Sequence, residues 1–125
     1  MDTKRILIVD DEVGAARLLK LNLEQTQRYV VRVENVATGA LAAAEQFQPD
    51  LILLDVMMPG QDGGELASCF QSSPQLKDVP IVFFTAAAKK REVVAHGGRI
   101  GGLPFLAKPA SFPEVVACLE QYLGR

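Results

Sequence analysis

Tryptophan is absent from this chain, histidine occurs once and cysteine twice, and each scarcity removes a class of function. With His96 the sole histidine, and Cys69 and Cys118 far apart and in no metal-binding spacing, neither a zinc site nor a disulfide framework is expected. The two cysteines read as small, buried or half-buried residues of helical segments. Long apolar runs are missing too. A bilayer-crossing helix needs about 20 apolar residues, and Met1-Asp2-Thr3-Lys4-Arg5 leads straight into the short run Ile6-Leu7-Ile8-Val9 with no leader-like segment before it. A cytoplasmic protein that does not engage a membrane is expected. Charge of one sign is also lacking: 13 Lys and Arg face 15 Asp and Glu, for a net charge of -2. No basic stripe marks a nucleic-acid partner, and Lys89-Lys90-Arg91 reads as a solvated helix face.

What the chain does have is apolar substance, 49% hydrophobic residues against 22% charged, which suits one folded domain filling residues 1–125 with no linker and no output domain. Four short apolar runs each stop at a residue capable of chemistry. Ile6-Leu7-Ile8-Val9 ends at Asp10-Asp11, Leu51-Ile52-Leu53-Leu54 at Asp55, Ile81-Val82-Phe83-Phe84 at Thr85, and Phe105-Leu106-Ala107 at Lys108. Runs without polar alternation are the mark of strands covered on both faces, as in parallel α/β sheets. Parallel strands share a C-terminal edge, so these ends converge where open α/β sheets bind ligands.

Between the strands the hydrophobic period changes. Val13, Ala16, Leu19 and Leu23 recur at helical spacing up to about Gln27, with Ala15 and Leu18 alongside. Tyr29 to Val36 alternates as a second strand, and Thr38 is placed to cap a helix containing Leu41, Ala44 and Phe47 that Pro49 ends. A loop over Met57-Met58-Pro59-Gly60-Gln61-Asp62-Gly63 precedes a third helix over roughly residues 64–71, broken by Ser72-Ser73-Pro74. A fourth helix is expected over about residues 88–96, before the pairs Gly97-Gly98 and Gly101-Gly102. Pro104 makes the last strand an edge strand. Ser111, Pro113 and Glu114 form an N-cap, a first-turn proline and a capping-box acid for a final helix that turns Val115, Val116, Leu119, Tyr122 and Leu123 inward. Five strands alternating with five helices imply right-handed βαβ units and a parallel sheet covered on both faces.

Asp10, Asp11 and Asp55 brought together repel one another unless protonated or neutralised by a cation. Two or three carboxylates at one strand edge suit Mg²⁺, which takes few protein oxygens and keeps positions for water and a phosphate oxygen. Lys108 adds a mobile cation and Thr85 a hydroxyl, so the crevice has what is needed to hold a tetrahedral dianion on one carboxylate. The inferred reaction is phosphoryl transfer onto an aspartate, helped by cations around the equatorial oxygens. Asp55, alone at the end of the middle strand, is the natural acceptor, leaving Asp10 and Asp11 to hold the metal. Taken singly, each strand-end Asp, and Thr85 as well, could simply cap the helix that follows, and Lys108 could be a surface lysine. Caps do not account for the whole set.

At these residues the chain resembles the receiver domains of two-component response regulators. Ile-Leu-Ile-Val-Asp10-Asp11-Glu12, Asp55-Val-Met-Met-Pro59-Gly-Gln-Asp-Gly63, Thr85-Ala86 and Phe105-Leu-Ala-Lys108-Pro109 carry the resemblance, in order and spacing, across essentially the whole chain. It implies a flavodoxin-like doubly wound sheet of five parallel strands in order 2-1-3-4-5. It also implies phosphorylation of Asp55 by a histidine kinase or histidine phosphotransfer protein. By position, Asp11, Asp55 and the backbone carbonyl of Met57 would ligate Mg²⁺, with Asp10 acting through water. Thr85 and Lys108 would bind phosphoryl oxygens, and Ala86 would leave the phosphate access. Phe105 would turn inward on phosphorylation and remodel the face made by the fourth helix, last strand and last helix. That face would engage a downstream protein and allow a phosphorylation-linked dimer. The Lys108-Pro109 peptide would be cis. The phosphodonor would dock on Gly14, Ala15 and Leu18 of the first helix, with Pro109 and Ala110 opposite. Leu18 serves equally well as a core residue.

Two other functions compete. An aspartyl-nucleophile phosphatase or phosphotransferase of haloacid-dehalogenase type would carry a second Asp two residues after the nucleophile, where this chain has Met57. A flavin or nucleotide binder would need a glycine-rich loop after the first strand, which is missing. A phosphoacceptor switch that only assists its own phosphorylation and dephosphorylation is favoured over an enzyme. Met57 and Ala87 occupy the positions that tune phosphoaspartate hydrolysis in the family, and neither side chain can orient water. Slow to moderate autodephosphorylation is therefore expected in a label-chase assay, and loss of the label within seconds would contradict it.

Overall fold

The computed structural model describes residues 3–55, 57–58, 61–86, 99–100 and 103–123. Its sheet is built from β1 (Lys4–Val9), β2 (Tyr29–Glu34), β3 (Leu51–Leu54), β6 (Ile81–Thr85) and β8 (Leu103–Ala107), all parallel, with the two-residue β7 (Arg99–Ile100) added antiparallel to β8. The order β2-β1-β3-β6-β8 is the 2-1-3-4-5 order of the flavodoxin-like fold. A separate hairpin pairs β4 (Met57–Met58) with β5 (Gln61–Asp62), where a plain loop was expected.

Alternation inside each apolar run divides the core in two. Leu7, Val9, Ile52, Leu54, Ile81 and Phe83 face one way, against Ala40 and Ala44 of α2 (Ala40–Phe47) and Leu66 and Phe70 of α3 (Gly63–Ser72). Ile6, Ile8, Leu51, Leu53 and Val82 face the other way, against Ala16 and Leu23 of α1 (Val13–Gln25) and Val115 and Leu119 of α4 (Phe112–Tyr122). Both faces are therefore dry, and a polar substitution at either parity of a central strand would leave an unpartnered group in the core.

Local signals account for several boundaries. Ser111 accepts the Glu114 backbone N–H while the Glu114 carboxylate accepts the Ser111 N–H, closing a capping box with Pro113 in the first turn. Gln48, at φ 53°, terminates α2 before Pro49. α1 is clasped to β2 by Lys20, which pairs with Glu24 and donates to the Val31 carbonyl, while Glu24 accepts the Val31 N–H.

Other expectations are corrected. Thr38 does not cap α2; it sits inside a 3-10 turn (Ala37–Gly39) that leads into a helix whose N-cap, Gly39, makes no side-chain bond. β8 is the last parallel strand but not the outermost, because Arg99 pairs opposite Pro104. The proline constraint is met by a pairing only two residues long. The expected fourth helix, with Lys89-Lys90-Arg91 and His96, lies outside the described residues. Cys69 and Cys118 are free and half-buried, as expected, and burial pushes the Cys118 thiol up to about 11. Among the described residues no helix is long and apolar enough to cross a membrane. Removing the cap with Ser111→Ala should cost about 1 kcal/mol of stability in chemical denaturation, because the Glu114 N–H loses its side-chain acceptor.

Candidate functional site

Register brings the reactive strand ends together. Val9 pairs beside Leu54, Leu54 beside Phe83, and Thr85 beside Ala107, so Asp10, Asp55, Thr85 and Lys108 follow one another across the sheet's C-terminal edge. Backbone bonds pin those ends: Asp55 N–H to the Val9 carbonyl at 2.9 Å, Asp10 N–H to Glu34 at 3.0 Å, and Lys108 N–H to Thr85 at 3.0 Å. The peptide between Lys108 and Pro109 is cis, as the resemblance implied.

Carboxylate oxygens of Asp10, Asp11 and Asp55 all lie within 4.8 Å of one another. Asp10 and Asp55 are buried, and Asp11 is the most open of the three. This all-oxygen set, with two members withdrawn from water, has the donor chemistry of a hard divalent cation site. Asp10 also serves the backbone, since its Oδ1 accepts the Glu12 N–H at 2.9 Å just ahead of α1. Asp10 thus orders the turn that leads into α1 while belonging to the acidic cluster.

Lys108 is less free than a mobile surface cation. Its Nζ donates to Asp10 Oδ2 at 2.6 Å and Glu12 Oε1 at 3.0 Å, lies 3.7 Å from Asp55 Oδ2, and sits 5.2 Å from the centre of the Phe84 ring. Burial pulls its pKa down, but the bonds to Asp10 and Glu12 and the nearby carboxylates outweigh that and leave it above the usual lysine range. Burial pushes Asp10 above the usual carboxylate range, and Asp55 adds to the push, against the opposing bonds from Lys108 and the Glu12 N–H. The two directions differ in origin: burial dominates at Asp10, whereas bonded and neighbouring carboxylates dominate at Lys108.

The remaining predicted residues divide by position. Thr85 is fully buried at the edge and Ala86 beside it is exposed. Phe105 already lies inside, in the same apolar cluster as Leu54, Phe83 and Ala107. A phenyl ring has no hydroxyl to hold it at the surface, and burial wins. Gly14, Ala15 and Pro109 are exposed, and Leu18 is 60% exposed, which removes the core reading for Leu18. Ala15, Leu18, Pro109 and Ala110 line a cleft of about 510 Å³ between α1 and the start of α4, which reaches Asp10 and Lys108. A Cβ added at Gly14 would meet open space. The side chain of Met57 and all of Ala87 lie outside the described residues.

Sequence reasoning missed three contributors. Glu12 stood in the motif only as a neighbour of the acid pair. Asn35 donates to the Asp10 carbonyl at 2.8 Å, and Phe84 lies beside the lysine ammonium. No spacing rule signals Glu12 pairing with Lys108 or Asn35 with Asp10, because each pair is joined only by the fold.

The raised pKa of Asp10 has a stability consequence of definite sign. Folding binds that proton more tightly, so the cost of ionising Asp10 is fully present at neutral pH. It is relieved as pH falls through the raised folded value toward 3.8. In chelator, Asp10→Asn should therefore be more stable than the parent at pH 7, and the difference should close on acidification. Denaturation midpoints across that range would measure it, and a less stable variant at pH 7 would contradict it.

Residues 6–120 match the response regulator receiver domain family. The phosphate regulon transcriptional regulatory protein PhoB of Pseudomonas aeruginosa is 34% identical over 98% of this chain and 52% of its own length. The chain spans about half the length of several curated relatives it matches. Among solved structures, the non-phosphorylated HemR receiver domain of Leptospira biflexa superposes with a TM-score of 0.80 at 31% identity, covering 98% of this chain and 96% of that one. The receiver domain of the sensor histidine kinase PA1611 of Pseudomonas aeruginosa, with a magnesium ion coordinated in its active site cleft, gives 0.81 at 26% identity, covering 99% of this chain and 100% of its own. With the edge cluster, the sheet order and these matches in agreement, the chain belongs to the response regulator receiver domain family, the phosphoacceptor signalling modules of two-component systems.

Proposed function

We propose that Asp55 is the phosphoacceptor of this chain. The observation that carries the reading is the position of the Asp55 carboxylate, buried at the end of β3 within 4.8 Å of two further carboxylates and 3.7 Å from the Lys108 ammonium. Mg²⁺ fits the oxygen donors present, with Asp11, Asp55 and the Met57 carbonyl as ligands and Asp10 supporting through water. Bound there, it supplies positive charge against the acids and the transferring phosphoryl group.

The chain's own residues do the rest. Lys108 offers an ammonium to an equatorial phosphoryl oxygen, and Thr85 a hydroxyl from the neighbouring strand end. Exposed Ala86 leaves that end of β6 open. Thr85 and Phe105 lie on adjacent strands, Thr85 paired with Ala107 and Phe83 with Phe105, so a change at Thr85 reaches β8 directly. Because Phe105 is already packed inward, phosphorylation fixes it there, stabilising one arrangement of the face that includes β8 and α4. The reader of that face is a downstream protein or a second copy of the chain.

The donor is a histidine kinase or histidine phosphotransfer protein docking over the cleft between α1 and α4. Exposed Leu18 and the open space beyond Gly14 give a donor helix room for close approach. Cytoplasmic location and a signalling role without turnover of other substrates belong to the same reading.

Incubation with Mg²⁺ and acetyl phosphate should label the protein at one site. Asp55→Asn should abolish the label, and removal of Mg²⁺ by chelator should reduce it to background. Lys108→Ala should lower the labelling rate by at least about tenfold, on the scale of removing one charge-stabilising group from a reaction centre. Undiminished labelling of the Asp55→Asn protein would overturn the assignment.

A further inference from the structure

The Lys108 ammonium has three protons to donate, and the resting structure commits two of them. One goes to Asp10 at 2.6 Å and one to Glu12 at 3.0 Å, while Asp55 is left at 3.7 Å, beyond hydrogen-bond reach. The two bonded acids differ in kind. Asp10 is 4% exposed at its side chain and belongs to the acidic cluster; Glu12 is 61% exposed and lies outside it, at the N-cap position of α1. The Glu12 side chain therefore reaches from the start of α1 to the end of β8 and holds the ammonium beside the acceptor rather than on it.

We propose that Glu12 is a positioning residue that holds Lys108 in a resting location, and that Lys108 exchanges its Glu12 bond for a phosphoryl oxygen when Asp55 is modified. The inference rests on the reading of Asp55 as acceptor and Lys108 as phosphoryl ligand. Exchange at Glu12 is favoured over exchange at Asp10 on physical grounds. Glu12 can return to water when released, whereas an unpaired Asp10 would be a buried charge without its cation. An exposed ion pair is weak, so the hold is slight and easily broken. It biases the lysine without trapping it. Glu12 would then lower the affinity of the site for a phosphoryl group while leaving the metal-binding carboxylates in place.

Charge and reach can be separated. Glu12→Gln removes the negative charge and the ion pair together. Glu12→Asp keeps the charge but shortens the side chain by one methylene, enough to break the contact with Lys108. The probe is beryllium fluoride in Mg²⁺, which adds to a carboxylate as a tetrahedral phosphoryl analogue, titrated by calorimetry alongside Mg²⁺ alone. Both variants should bind beryllium fluoride more tightly than the parent, by about threefold for loss of one exposed ion pair. Glu12→Asp should keep the parent's Mg²⁺ affinity. In metal-free protein, the NMR signal of the Lys108 side chain, assigned through Lys108→Arg, should move in both variants. Unchanged denaturation midpoints would show that both variants are folded.

If Glu12→Asp binds the analogue like the parent while Glu12→Gln tightens, the effect is one of charge at a distance and the positioning role is overturned. Equal affinity in all three proteins overturns it as well while leaving the acceptor assignment standing. If the parent fails to bind the analogue, or Asp55→Asn binds it equally well, the acceptor reading fails and the Glu12 inference with it.

Discussion

Three carboxylates lie within 4.8 Å of one another at the C-terminal edge of the sheet, and among the described residues Lys108 is the cation the chain sets against them. That contact joins β1 to β8, residues that are sequentially remote, through an ammonium 2.6 Å from Asp10. It also explains the electrostatics on both sides. Burial, with a smaller contribution from Asp55, raises the proton affinity of Asp10, while the bonds to Asp10 and Glu12 and the nearby carboxylates raise that of Lys108. A site left short of positive charge has free energy to gain from a divalent ion or from Lys108 staying protonated.

The surrounding fold keeps those charges in place by ordinary packing. Alternate residues of the central strands supply two separate cores, one under α2 and α3 and one under α1 and α4. Because both faces are filled, a strand cannot slip by one residue without exchanging its whole buried set. Register is what aligns Asp10, Asp55, Thr85 and Lys108 along one edge, so the chemistry inherits its precision from Leu, Ile, Val and Phe side chains that never touch it. Most of the energy of the domain lies in those cores, and the site spends a little of it on concentrated charge.

Much of this was legible from short-range pattern. The apolar runs identified the parallel strands because strands buried on both faces need no polar alternation, and Ser111-x-x-Glu114 identified its helix start because a capping box is a contact within one turn. Where short-range pattern was ambiguous, packing decided. Thr38 had the chemistry of a cap, yet the chain enters α2 through a 3-10 turn instead. Leu18 belongs to the apolar residues of its helix but turns away from both cores, because Ala16, Leu19 and Leu23 already cover β1 and β2. Phe105 lies inward because a phenyl ring has nothing to bond at the surface.

By itself the sequence determined the five parallel strands, the reactive strand ends and the family to which the chain belongs, because each of those is written in spacings of a few residues. Tertiary structure alone decided which acid holds the lysine. Glu12 and Lys108 are 96 positions apart, as distant as any local rule is blind to, and they meet because five strands lie side by side with their ends aligned. Proximity across a parallel sheet is set by strand order and register, quantities that belong to the assembled sheet and to no single segment of the chain.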